Sequence, residues 1–133
     1  MEYSHKLELK VRDYECDLQG VVNNSVYQQY LEHARHEFLL EVGVNFAALA
    51  EKKINLVVIR TELDYKQSLR PGEVFWVGTS LVRSSKIRFN FNQGIFRKGS
   101  DTPVLLAKIT ATSLNERGRP FLPNFLLELF DEL

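Results

Sequence analysis

Residues 11–38 read VRDYECDLQGVVNNSVYQQYLEHARHEF, and the fold turns on how this stretch divides. Just before it, Leu7, Leu9 and Val11 alternate with Lys6, Glu8, Lys10 and Arg12. That two-residue period is a half-buried strand ending near Arg12. A polar loop follows, with Asp17 at its middle. From Asn23 and Asn24 the period changes: Tyr27, Leu31, Ala34 and Phe38 recur at helical spacing, one apolar stripe on a long amphipathic helix. Asparagine opens helices well because its side-chain oxygen takes a first-turn N–H that has no partner inside the helix. A helix start also carries partial positive charge and several unpaired donors. A carboxylate one short loop away from such donors suits chemistry in which an oxyanion develops.

Working outward, the helix is expected to run to about Val42, with Gly43 as its stop and a short helical turn over residues 45–52. Period two returns over residues 56–66, with Val57, Ile59, Thr61, Leu63 and Tyr65 on one face. Arg70-Pro71-Gly72-Glu73 is a turn. Further strands are expected over residues 74–83, 87–97 and 104–114, the first two joined by Ser84, Ser85 and Lys86. Pro123 suits the first turn of a final helix, to about Glu132. There Phe125, Leu126, Leu129 and Phe130 form an apolar face for a sheet edge or an interface. One strand, one long helix and then four strands joined by hairpins predict an α+β domain: an antiparallel five- to six-stranded sheet with the helix on one face. A single helix cannot cover both faces, so the other face or an edge is expected to meet another subunit.

A chain of 133 residues suits one domain, residues 1–133. Folding buries roughly two-thirds of its unfolded surface, so no covalent or metal staple is required. Lysine plus arginine equals aspartate plus glutamate, 17 each, which disfavours nucleic acid as a partner. Cys16 is the only cysteine, which leaves no internal disulfide and no four-cysteine zinc site. No apolar run approaches the ~20 residues of a membrane span. Residues 1–5 do not lead into the apolar core of a signal peptide, so a cytoplasmic location with no membrane partner is expected.

Asp17, Gly20, Val22, Asn23, Asn24, Tyr27 and the Glu32-His33-Ala34-Arg35 step together resemble the signature of the hot-dog acyl-CoA thioesterases of the 4-hydroxybenzoyl-CoA thioesterase-like group. The resemblance implies a hot-dog fold, in which a curled antiparallel sheet wraps one long central helix. It also implies homodimers or homotetramers with the active site at a subunit interface. The implied substrate is an acyl-CoA, with Asp17 as nucleophile or general base and backbone N–H groups near Asn24 as oxyanion donors. Gly20, Val22, Asn23 and Tyr27 would contact substrate. The basic cluster Ser84, Ser85, Lys86 and Arg88 would grip the phosphates of coenzyme A. No metal and no cofactor beyond the coenzyme A of the substrate is implied. Many relatives carry His or Tyr near positions 23 and 24. The Asn-Asn pair bears on acyl specificity rather than on reaction class.

Each residue also has a plainer reading. Asp17 can cap a turn, Asn24 can serve only to open the helix, and Gly20 can be a simple turn glycine. Ser84 to Arg88 can be a solvated strand end. Glu32 and Arg35, three apart, can pair on one helical flank. His33 and His36 lack a third ligand at metal spacing, and Cys16 lacks an activating histidine. Phe75, Trp76, Phe89 and Phe91 read as core. Two rivals remain open. A hydratase or dehydratase of the same fold would want a histidine at the helix entry, where this loop has none. A non-catalytic acyl-CoA binding protein would keep the basic hairpin and need no carboxylate at position 17. An acyl carrier protein can also replace coenzyme A as carrier.

Overall fold

The computed structural model describes residues 2–132; Met1 and Leu133, the ends of the expected domain, lie outside them. The elements run β1 (His5–Lys10), α1 (Asn24–Glu41), α2 (Phe46–Glu51), β2 (Asn55–Tyr65), β3 (Val74–Arg83), β4 (Phe89–Arg97), β5 (Pro103–Leu114), β6 (Pro120–Phe121) and α3 (Asn124–Glu132). A 3-10 turn, Asp13–Glu15, follows β1. The strands form one antiparallel sheet ordered β1-β3-β4-β5-β2, with β6 paired to Ser113 and Leu114 of β5. This is the α+β arrangement that the pattern predicts and the hot-dog fold that the resemblance implies.

The central helix starts and stops where local chemistry directs. The Asn23 side chain accepts from the Ser25 N–H at 3.0 Å and from its hydroxyl at 2.8 Å. Past the C-terminal end, Gly43 takes φ +90°, a conformation open to a residue without Cβ. Tyr27, Leu31, Ala34 and Phe38 are all buried, and Tyr30 and Leu39 widen the stripe. The N-terminal half of α1 packs on Phe75, Val77, Ile95 and Leu105. Its C-terminal half packs on Leu81, Phe89, Phe91 and Ile109. Burying one such side chain contributes roughly 1.5–3 kcal/mol, so the apolar face rather than helix propensity holds α1 on the sheet.

Two expectations need correction. In β2 a bulge between Val58 and Arg60 shifts the register. The extra residue flips the alternation, so Leu56 and Val58 share the helix-side face with Thr61 and Leu63, and Ile59 and Val57 do not. Strand β4 begins at Phe89 rather than Ile87, because Ser84 and Ser85 both donate to the Arg88 carbonyl and close the hairpin there. The apolar side of α3 joins the core within the chain. Leu126 and Leu129 close the end of the core beneath α1, and the Phe130 ring lies 6.1 Å from Phe89.

The outer face of the sheet is partly covered by the chain itself. Trp76 stacks on Phe96 at 4.5 Å, and the Lys6 ammonium lies 4.7 Å from the Trp76 ring centre. The Tyr3 ring crosses Gly78 and Gly94, where an added Cβ would come within 2.4 Å of it. Among the described residues, no helix is long and apolar enough to cross a membrane.

Candidate active site

Asp17 sits in a tight loop between the 3-10 turn and α1. Its N–H donates to the Val21 carbonyl at 2.9 Å, and its carbonyl accepts from Gly20 at 3.0 Å. Cys16 and Val22 close the loop as an antiparallel bridge. Gly20 has φ +74°, and a Cβ there would meet nothing within 4 Å. Gly20 therefore serves the turn, not a close approach to the helix. The half-buried Asp17 carboxylate accepts from the Gln19 N–H at 3.0 Å. Among the described residues no cation lies within ion-pair distance of it.

The loop is fastened to three neighbours. Glu15, buried, accepts from the Arg12 N–H and from the Tyr30 hydroxyl, each at 2.8 Å. The Glu15 carbonyl accepts from the Asn23 N–H at 3.0 Å. Burial, and then the bond to Glu15, push the Tyr30 hydroxyl far above its ordinary range, so it remains a donor. Val22 donates to the Leu69 carbonyl at 2.9 Å, and the Leu69 N–H donates back to the Tyr27 hydroxyl at 3.0 Å. Arg97 holds the segment around Leu69 by donating to Glu73 at 2.8 Å, to Gln67 and to the Ser68 carbonyl.

These fastenings leave one donor open at the helix start. Asn23 takes the Ser25 N–H, and the Val26 N–H bonds back to the Asn23 carbonyl at 2.9 Å. The Asn24 N–H has no protein acceptor among the described residues. The Tyr65 hydroxyl donates to the Asn24 carbonyl at 3.2 Å, tying β2 to the same turn. Asp17 and Asn24 thus share one fixed loop–helix junction. Glu15 and Tyr30 were not legible as site residues. Their only trace is that Tyr30 falls three positions after Tyr27, on the same helical face.

Other expected residues fall elsewhere. Val22 and Tyr27 are packed in the core rather than open to a ligand, and Asn23 is occupied as the cap. Ser84, Ser85, Lys86 and Arg88 form an exposed hairpin tip, and three of them border a shallow hollow with Asn90, Lys108 and Thr110 on the outer face. The Asp17 loop follows β1, whose last residue pairs with Val74, whereas Ser84 follows the other end of β3. The ten residues of β3 separate the two by about 30 Å, so one chain does not bring them together.

Gln28, Glu32, Arg35, His36 and Leu39 of α1 line a groove of about 690 Å³ between α1, α2 and β2. Its walls include Leu39, Phe46, Leu49, Leu56, Phe89 and Phe91. The expected Glu32–Arg35 ion pair is absent among the described residues. Arg35 turns inward instead and donates to the Gln93 side-chain oxygen at 3.1 Å, with its guanidinium 5.9 Å from the Phe91 ring. Gln93 is buried, and its amide nitrogen donates to the Leu31 carbonyl and the Thr79 hydroxyl, each at 3.0 Å. The His5 ring is almost covered, with Nε2 2.8 Å from Glu41. The Cys16 thiol is pushed up by desolvation and by Asp17, Glu15 and Asp13, which keeps it protonated and unsuited to attack.

A carboxylate without a cation, in the loop that leads into a helix start with an open backbone donor, can deprotonate water or attack a carbonyl while the donor takes the developing oxyanion. The antiparallel sheet and the long central helix are those of the hot-dog fold. The chain belongs to the thioesterase-like superfamily, which it matches over residues 11–130. Among curated relatives, the chloroplastic acyl-acyl carrier protein thioesterase ATL3 of Arabidopsis thaliana is 39% identical over 120 residues, covering 90% of this chain and 63% of that one. The chain thus spans under two-thirds of that relative. A hypothetical protein of Aquifex aeolicus has the same fold in its crystal structure, with a TM-score of 0.85, 28% identity, and 95% and 98% of the two chains covered. The 1,4-dihydroxy-2-naphthoyl-CoA thioesterase of Synechocystis superposes with a TM-score of 0.87 over 96% of each chain; at 18% identity that likeness is one of fold alone.

Proposed function

We propose that this chain hydrolyses acyl thioesters, with Asp17 as general base or nucleophile and the Asn24 N–H as an oxyanion donor. The observation that carries the reading is the junction itself: the Asp17 carboxylate has no cation and is bonded only by the neighbouring Gln19 among the described residues, and the Asn24 N–H has no protein acceptor among them. As general base, Asp17 takes a proton from water, which attacks the thioester carbon and breaks the C–S bond. As nucleophile, Asp17 attacks that carbon itself, breaks the C–S bond and leaves an acyl-aspartate anhydride that water then hydrolyses. On either route a proton from the water ends on the departing thiolate and the hydroxyl on the acid. The chain works as a homodimer or homotetramer. The phosphate-binding hairpin and the Asp17 loop are too far apart to grip one carrier within a chain, so Ser84, Ser85, Lys86 and Arg88 serve the site of a second copy.

Two carriers are in question. The likeness to an acyl-acyl carrier protein thioesterase at 39% identity favours a protein carrier. The exposed Lys86 and Arg88, with no ion-pair partner among the described residues, favour the phosphates of coenzyme A. Thiol release is measured from matched acyl-CoA and acyl-acyl carrier protein panels, with native protein and with Asp17→Asn. Turnover by the native protein and its loss in a folded Asp17→Asn support the reading. A native protein inert on both panels, or an Asp17→Asn protein with full activity, refutes it.

A further inference from the structure

We propose that the groove between α1, α2 and β2 holds the acyl part of the substrate, and that Arg35 reads a neutral oxygen acceptor, a hydroxyl or carbonyl, carried on that acyl chain far from the thioester. The inference rests on the hydrolytic reading of the Asp17–Asn24 junction, because that junction places the thioester at the start of α1.

The argument begins with Gln93. Its amide nitrogen is committed to the Leu31 carbonyl and to Thr79, so its oxygen must face Arg35. That single bond fixes the guanidinium, and Arg35 has no other protein acceptor among the described residues. An arginine has five N–H donors, and this one lines a groove with walls of leucine and phenylalanine. Arg35 is half-buried, and none of its remaining donors is among the buried side-chain atoms that lack a partner, so they open into the groove. An acyl chain that fills the groove displaces water from those donors, and an oxygen carried at that point restores the bond that a plain chain would leave unmade.

The neighbouring charge decides which oxygen. Glu32 lines the same groove and acts on Arg35 through space without forming an ion pair. A second carboxylate would meet its repulsion, whereas a hydroxyl or carbonyl would not. The helix sets the distance. The groove begins at Gln28, one turn after Asn24, and Arg35 lies eleven positions beyond Asn24, about 16 Å of helical rise. The acceptor therefore sits well along the chain rather than next to the reacting carbonyl.

The test uses unreactive S-alkyl pantetheine thioethers, which suit either carrier and do not depend on catalysis. Calorimetry compares S-dodecyl, S-(3-hydroxydodecyl) and S-(12-hydroxydodecyl) pantetheine on the native protein. The 12-hydroxy compound is expected to bind about tenfold more tightly than the plain chain, with no such gain for the 3-hydroxy compound. Arg35→Gln abolishes the gain. Ala50→Trp, on the exposed α2 wall of the groove, weakens all three without lowering the melting temperature. Equal binding of the plain and 12-hydroxy compounds by the native protein overturns the proposal. So does a gain that survives Arg35→Gln, or unchanged binding in Ala50→Trp. If Arg35→Gln does not fold, the native comparison and Ala50→Trp decide. The binding pattern together with an active Asp17→Asn would leave the groove assignment standing and remove only the catalytic one.

Discussion

The Asp17 loop and the Ser84–Arg88 hairpin are both short polar connections, but they are built in opposite ways. The first is held by bonds that reach across the fold: Glu15 to Tyr30, Val22 to Leu69, and Leu69 to Tyr27. The second is closed mainly on itself, by Ser84 and Ser85 to the Arg88 carbonyl and by the Arg83 guanidinium to the Ser85 carbonyl at 2.9 Å. A group that must meet a transition state needs fixed geometry, whereas a cation that neutralises a phosphate works from an exposed, adaptable side chain. In the proposed reading the first loop carries the chemistry and the second binds the carrier.

The sharpest way to break this contrast is to remove the charge at each place. Asp17→Asn is expected to lower kcat by about 10²–10⁴. The double change Lys86→Ala and Arg88→Ala is expected to leave kcat nearly intact and to raise KM for an acyl-CoA several-fold at low salt, an effect that fades as salt rises. If the two variants show the same kinetic signature, the division of labour is wrong.

Next in size is Tyr30→Phe, which leaves the buried Glu15 without its side-chain donor. We expect about 1–3 kcal/mol of lost stability in chemical denaturation. The accompanying drop in kcat should exceed any change in KM, because Tyr30 positions the loop without touching substrate. A variant with native kcat would show that the loop keeps its geometry without this tie.

The smallest effect is expected at Glu73. Its hydrogen bond from Arg97, set against a desolvation penalty, holds its carboxyl below the ordinary carboxylate range. A pKa depressed on folding adds stability above the unfolded value, about 4.3, and that stability is lost as pH falls through the folded value. The native protein should therefore lose more stability than Glu73→Gln between about pH 5 and pH 3. Parallel acid profiles for the two would show that Arg97 anchors the Leu69 segment through Gln67 and Ser68 alone.

Much of the fold was legible because its signals are local. A two-residue period marks a strand wherever it occurs, four apolar residues at helical spacing mark the buried face of α1, and an asparagine supplies its own cap. The phase of β2 was not legible, because a bulge is set by pairing with β5 and leaves no mark in β2 itself. For the same reason Arg35 read as a partner for Glu32, three residues away, when its bond is to Gln93 on another element.

By itself the sequence determined the order of the elements, the buried stripe of the central helix and the acid that precedes it, since each depends on residues within a few positions of one another. The tertiary structure alone decided that Glu15 and Tyr30 clamp the Asp17 loop, that the basic hairpin lies at the far end of β3, and that Arg35 lines a groove. Those facts depend on strand register and on the seating of the helix across the sheet, which no short stretch of chain encodes.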